Sequence, residues 1–115
     1  MAFTEFETER YKQITEVFIE SIRPPEHIRA ELDIIYEMEG QSIIIYEVRQ
    51  DWMDSSKKMK MQVVKLTYVR TSDCWRLYWQ RRDLKWHSYD PDPEVDTLEE
   101  GLQVVKNDDL GCFWG

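Results

Sequence analysis

From Cys74 to Arg82 the chain alternates between two kinds of side chain, with Trp75, Leu77 and Trp79 at odd positions and Arg76, Tyr78, Gln80 and Arg82 at even ones. A period of two marks a strand, because successive side chains leave an extended backbone on opposite faces. The stretch therefore demands a sheet in which one face sets indoles into a core and the other presents cations beside a phenol ring. Leu84 to Tyr89 reads as a further short strand, with Leu84 and Trp86 turned to one side and Lys85, His87 and Tyr89 to the other. Trp75, Trp79 and Trp86 are expected to anchor the core, since large aromatics are mostly withdrawn from water.

The flanking sequence supplies the rest of the sheet and its helices. Thr4 followed by Glu7 is a capping-box spacing, and Tyr11, Ile14, Val17, Phe18 and Ile22 recur at helical intervals, so Thr4 to Ile22 is predicted as a helix. Pro24-Pro25 ends it, because proline lacks the amide donor and pushes the preceding residue out of helical geometry. His27 to Met38 alternates apolar even with charged odd positions, broken only at Ile35, and is predicted as the first strand. Glu39-Gly40-Gln41 turns the chain into Ser42 to Gln50, whose β-branched density suits a strand covered on much of both faces. Residues 51 to 58 read as a surface loop, Met59 to Thr71 as a third strand, and Thr71-Ser72-Asp73 as the turn before Cys74. After the polar Asp90-Pro91-Asp92-Pro93 linker, Thr97 and Glu100 repeat the capping pattern ahead of a short helix carrying Leu98, Leu102 and Val105. Gly101 weakens that helix by roughly 1 kcal/mol relative to alanine. The apolar tail from Leu110 to Gly115 is expected to dock on the body. The expected fold is α+β: an antiparallel meander of four to five strands, an N-terminal helix packed on it and a short C-terminal helix.

A chain of 115 residues suits one domain over 1–115 with one core. No apolar run approaches the length that spans a bilayer, and the first residues lack the basic and apolar regions of a secretion signal, so no membrane association and a cytoplasmic location are expected. Cys74 and Cys112 lie far apart, as suits reduced thiols. The net charge of −8 argues against a simple coat for nucleic acid or anionic membrane, but it is unevenly spread. Residues 57 to 87 hold nine Lys/Arg against Asp73 and Asp83, a balance of +7 that leaves −15 for the remainder. Such segregation serves an anion-binding face, or lets acidic flanks neutralise a basic hairpin within the monomer.

The pieces R-P-P-E-H-I-R (23 to 29), G-Q-S (40 to 42), Y-V-R-T (68 to 71), W-R-L-Y-W-Q-R-R-D-L-K-W-H-S-Y (75 to 89), T-L-E-E (97 to 100) and G-C-F-W-G (111 to 115) resemble small bacterial proteins of the domain-of-unknown-function family 3024. The likeness runs along nearly the whole chain, with K-W-H-x-Y and G-C-F-x-G its most specific parts. It implies a whole single-domain bacterial protein and carries no activity onto any position.

Three classes of function follow from the residues themselves. Cations interleaved with aromatics on strands neutralise phosphates while rings stack on unpaired bases, which makes Arg76, Tyr78, Arg82, Lys85, His87 and Tyr89 the candidate site for an anionic partner or nucleic acid. Asp83-x-Lys85, with His87 nearby, matches an acid-x-lysine fragment of a metal-dependent hydrolase or nuclease, although no second acid stands at a motif-defining spacing. The histidines and cysteines at 27, 74, 87 and 112 make no zinc spacing, so neither metal nor cofactor is expected and no catalytic residue is assigned. A homodimer is the third reading, with an edge strand such as 27 to 38 or 84 to 89 extending a neighbour's sheet. A binding or interaction module is favoured over an enzyme.

Overall fold

A computed structural model describes residues 3–54 and 56–114. Helix α1 spans Glu5–Ile22 and begins as its cap spacing requires. The Thr4 hydroxyl accepts the Glu7 amide at 3.1 Å, and the Glu7 carboxylate accepts the Thr4 amide at 2.9 Å. Arg23 is extended ahead of the two prolines, and its side chain grips Asp33 through two hydrogen bonds of 2.7 and 2.8 Å, pinning the helix end to the sheet. The buried stripe differs from the expected one at three positions, gaining Thr15 and Ile19 and losing Val17. Thr15, Phe18 and Ile19 are buried, whereas Val17 is 74% exposed because the stripe runs through residues 11, 15, 18 and 22 and leaves 17 on its flank.

Strand β1 covers Leu32–Glu39, not the whole of the alternation from His27. Pro25 caps a short 3-10 turn over Glu26–Ile28, and a further turn bond from the Glu31 amide to Ile28 consumes the intervening residues, so the chain becomes extended only at Leu32. A two-residue turn at Gly40 and Gln41 joins β1 to β2, Ser42–Gln50, with Gly40 at φ +59°, a left-handed value that glycine adopts without steric cost. Strand β3 spans Lys58–Val69 and β4 spans Cys74–Gln80. β5 is only Trp86–Ser88, and a strand absent from the sequence reading, β6, covers Glu94–Val95 beside the other end of β4. β1 to β5 form an antiparallel meander in chain order. Opposite the junction of Ile45 and Tyr46 one extra residue, Val63, is accommodated in β3 as a bulge.

Helix α2, Leu98–Asn107, lies with α1 on one face of the sheet. There the cross-strand set Ile43, Leu66 and Leu77 meets Phe18, Leu102 and Val105 in the core. Trp75, 2% exposed, meets Tyr11 edge-on at 4.9 Å between ring centroids and Tyr68 at 5.3 Å. Gly101 has a packing reason: a Cβ there would stand 2.9 Å from Leu66 and 3.3 Å from Val95, so only a bare backbone lets α2 approach so closely. The tail docks through Phe113, which is buried, and through the Trp114 indole, which donates to the Val105 carbonyl at 3.0 Å; Leu110 stays exposed. The described helices include none long and apolar enough to cross a membrane.

Candidate functional site

The cross-strand register puts Arg76 and Tyr78 on the face that carries no helix, opposite Trp75, Leu77 and Trp79. Lys65 of β3 pairs with Tyr78 there, and Lys60 lies on the same side beyond the bulge. This face answers the description of cations beside rings, but Arg76, Lys60 and Lys65 are already engaged. Arg76 bonds Glu94 at 3.1 Å. Lys60 is ion-paired with Glu37 and sits 4.2 Å from the centre of the Tyr46 ring. The hydrogen bond between Lys60 and Glu37 raises the ammonium above the ordinary lysine value and lowers the carboxyl below its own. Lys65 lies 5.8 Å from the Tyr78 ring centre. The acidic flanks thus do reach the basic hairpin, and Glu7 holds Arg70 in the same way through two bonds of 2.9 Å.

The residues of β5 face the other way from the sequence expectation. Directly opposed residues of an antiparallel pair share a face, and Gln80 opposes Trp86 across the connection 81–85. Trp86 is therefore half-buried on the helix-free face with Tyr78 and Gln80, not in the core between sheet and helices. His87 opposes Trp79 on the helix side and bonds the Asp83 carboxylate at 2.9 Å. Tyr89, expected beside Lys85 and His87 at the surface, is 1% exposed. Its amide donates to the Leu77 carbonyl at 2.9 Å as the chain leaves the strand, and its ring packs on Phe113 at 4.8 Å between centroids. Burial, followed by nearby Cys112 and aspartates, raises its phenol above the ordinary tyrosine value.

The Asp83, Lys85 and His87 triplet forms a turn held by the Asp83 carboxylate. The Asp83 carboxylate accepts the Lys85 amide at 3.0 Å as well as bonding His87, and these two bonds, in that order, hold its pKa below the usual aspartate value. Among the described residues no group of three or more His, Cys, Asp or Glu side chains is placed to hold a metal ion. Cys74 and Cys112 are free thiols, both pushed up by burial.

A different grouping emerges at the end of the sheet where β3 begins and β4 ends. Arg81, Arg82 and Lys85 lie in the connection that follows β4, and Lys57 and Lys58 at the start of β3, six residues beyond its last pair with β4; none of the five forms an ion pair among the described residues. Arg81 is held 5.5 Å from the Trp79 ring centre, and Leu84 takes a left-handed φ of +60°, an unusual value for a non-glycine residue, with its side chain 77% exposed. A groove of about 750 Å³ runs between these turn residues and β3, walled by Met61, Gln62, Val63, Arg81, Arg82 and Leu84. Of the six residues singled out in the sequence, the fold brings only Arg82 and Lys85 to this end; Arg76 and Tyr78 are on the helix-free face, His87 faces the helix side and Tyr89 is interior. The sequence reading did not single out Lys57, Lys58 or Arg81. Lys57 and Lys58 belong to the run of like charge at 57 to 60, and Arg81 adjoins Arg82 in the connection after β4.

The family model described as a domain of unknown function, DUF3024, matches residues 3–115. The chain belongs to that family. No curated protein and no solved structure matches it. Within this DUF3024 chain the two most specific pieces of the resemblance meet in space: Tyr89 closes K-W-H-S-Y and Phe113 centres G-C-F-W-G, and their rings are in contact. That contact belongs to the core behind the cationic end, on the same tail as Cys112 and Phe113, which also border the groove.

Proposed function

We propose that this DUF3024 chain is a binding module for an anionic partner, and that its site is the cationic end of the sheet and not the helix-free face. The observation that carries this reading is a contrast in pairing. Among the described residues Lys60, which also borders the groove, Arg70 and Arg76 each form an ion pair with a carboxylate from an acidic flank, while Lys57, Lys58, Arg81, Arg82 and Lys85 form none. In a chain of net charge −8 there is no shortage of acids, so cations left with only Asp83 among them are a place where field lines are focused on an incoming anion. Arg82 and Lys85 act there as primary contacts, Arg81 as a cation stiffened by its indole, and Leu84 as an apolar wall. Nucleic-acid stacking on the helix-free face is disfavoured because Tyr46 and Tyr78 already carry lysines over their rings.

Fluorescence anisotropy tests the proposal with a labelled oligoglutamate and a labelled thymidine oligonucleotide as polyanion probes. Binding is expected at low ionic strength, weakening as salt is added, and is lost in the Arg81→Glu/Arg82→Glu/Lys85→Glu variant. Absence of binding to both probes at low ionic strength contradicts the proposal, as does undiminished binding in the variant.

A further inference from the structure

β3 pairs with β2 from Lys58 onward but with β4 only from Val64, so Lys58 to Val63 has a strand neighbour on one side alone. Such an edge is a row of backbone donors and acceptors ready to accept another strand. The register also sorts its side chains. Lys58, Lys60 and Gln62 oppose Gln50, Val48 and Tyr46 on the helix-free side, while Met59 and Met61 oppose Arg49 and Glu47 on the other. The two methionines are 46% and 47% exposed, and the groove beside this edge is walled across by Arg81, Arg82 and Leu84.

We infer that the free edge of β3 accepts an extended segment of a partner polypeptide as an added strand, with acidic side chains alternating with apolar ones. Cross-strand neighbours in a sheet are favourable when charges are opposite and when apolar side chains meet. A strand of that pattern sets its carboxylates beside Lys58 and Lys60, whose solvent-exposed ion pair with Glu37 is weak enough to be shared, within reach of Arg81 and Arg82, and its apolar side chains beside Met59 and Met61. Backbone pairing supplies affinity in this mode, and alternate side chains supply specificity. A second copy of the chain fits less well, because antiparallel pairing of two such edges crowds Lys58, Lys60, Arg81 and Arg82 of both protomers together. This inference rests on the reading of the sheet end as an anion site and adds to it the backbone of the ligand.

The test uses a fluorescein-labelled decapeptide alternating glutamate and valine, the same peptide N-methylated throughout, and its lysine-for-glutamate counterpart. The first is expected to bind the full chain, and the N-methylated peptide more than about tenfold more weakly, since it keeps the charge but loses every amide donor. The lysine peptide is expected not to bind. Lys58→Glu/Lys60→Glu, at exposed positions and checked for an unchanged thermal melt, is expected to weaken the first peptide by about three- to tenfold. Equal binding of the methylated and unmethylated peptides, with oligoglutamate still bound, overturns strand addition and leaves the anion site standing. No binding by decapeptide or oligoglutamate overturns both. A dimer by light scattering that this double variant dissolves overturns the partner-peptide assignment in favour of self-pairing.

Discussion

The ring of Tyr89 lies against that of Phe113, 4.8 Å between centroids with planes 41° apart, and so ties the end of β5 to the C-terminal tail. Asp108 completes the join from the far side of α2, its carboxylate accepting the Phe113 and Trp114 amides at 3.0 and 2.8 Å while its own backbone holds a left-handed φ of 44°. Phe113 also borders the groove at the cationic end. Phe113→Ala removes a buried ring and leaves a cavity under Tyr89, and is expected to cost about 3–5 kcal/mol in chemical denaturation. A loss below about 1 kcal/mol would mean that the tail does not belong to the core.

Gly101→Ala opposes two effects of known sign. Alanine gains about 1 kcal/mol in helix propensity. Against it, the new methyl meets the Leu66 side chain at 2.9 Å and Val95 at 3.3 Å, and overpacking of this kind costs about 1–3 kcal/mol. Because Leu66 is wholly buried and has little room to swing, the packing term wins. A net destabilisation of about 1 kcal/mol is expected from denaturant midpoints; stabilisation would show that α2 stands further from the sheet.

Thr15 is fully buried on α1, and its hydroxyl oxygen has no hydrogen-bond partner among the described residues. Desolvating an unpaired hydroxyl is unfavourable, and valine has nearly the same shape with a similar helix propensity. Thr15→Val is therefore expected to raise stability by about 1 kcal/mol in thermal or urea unfolding. A loss of stability would reveal a partner for the hydroxyl.

Much of the fold was legible because its determinants are local. Thr4 and Glu7 are three residues apart, Pro24-Pro25 stops a helix without outside help, and the alternation around Trp75 needs nothing beyond its own backbone. What escaped depends on connections between distant residues or on turn length. The five-residue link 81–85 decides which side Trp86 faces, and a fifth strand read by itself carries no such information. Arg76 looked available because its partner, Glu94, arrives from beyond the second proline of the linker, and Arg70 is held by a glutamate 63 positions earlier. The start of β1 was misplaced because alternation continues through His27 to Glu31, where Pro25 has already committed the chain to turns.

The Glu7 and Arg70 pair gives the fold a dependence on acid. Two hydrogen bonds from Arg70, then the Thr4 amide, lower the Glu7 carboxyl from 4.5 to about 2. A carboxyl depressed in the folded state contributes stability that is present above its unfolded value and is lost as pH falls through its folded value. The loss should therefore run from about pH 4.5 down to about pH 2. Thermal melts across that window are expected to show a shallower fall for Glu7→Gln than for the parent chain, with the two converging at the acid end. Parallel curves would remove Glu7 from the account.

The central claim is that anions are met by the end of the sheet and not by its helix-free face. Amide chemical-shift mapping of the labelled chain titrated with oligoglutamate tests it most directly. The account predicts shifts concentrated on Lys57 to Val63 and Arg81 to Lys85, with Thr67, Arg76 and Ser88 unmoved. Shifts centred on Lys65, Arg76 and Tyr78, or none at saturating probe, would contradict it.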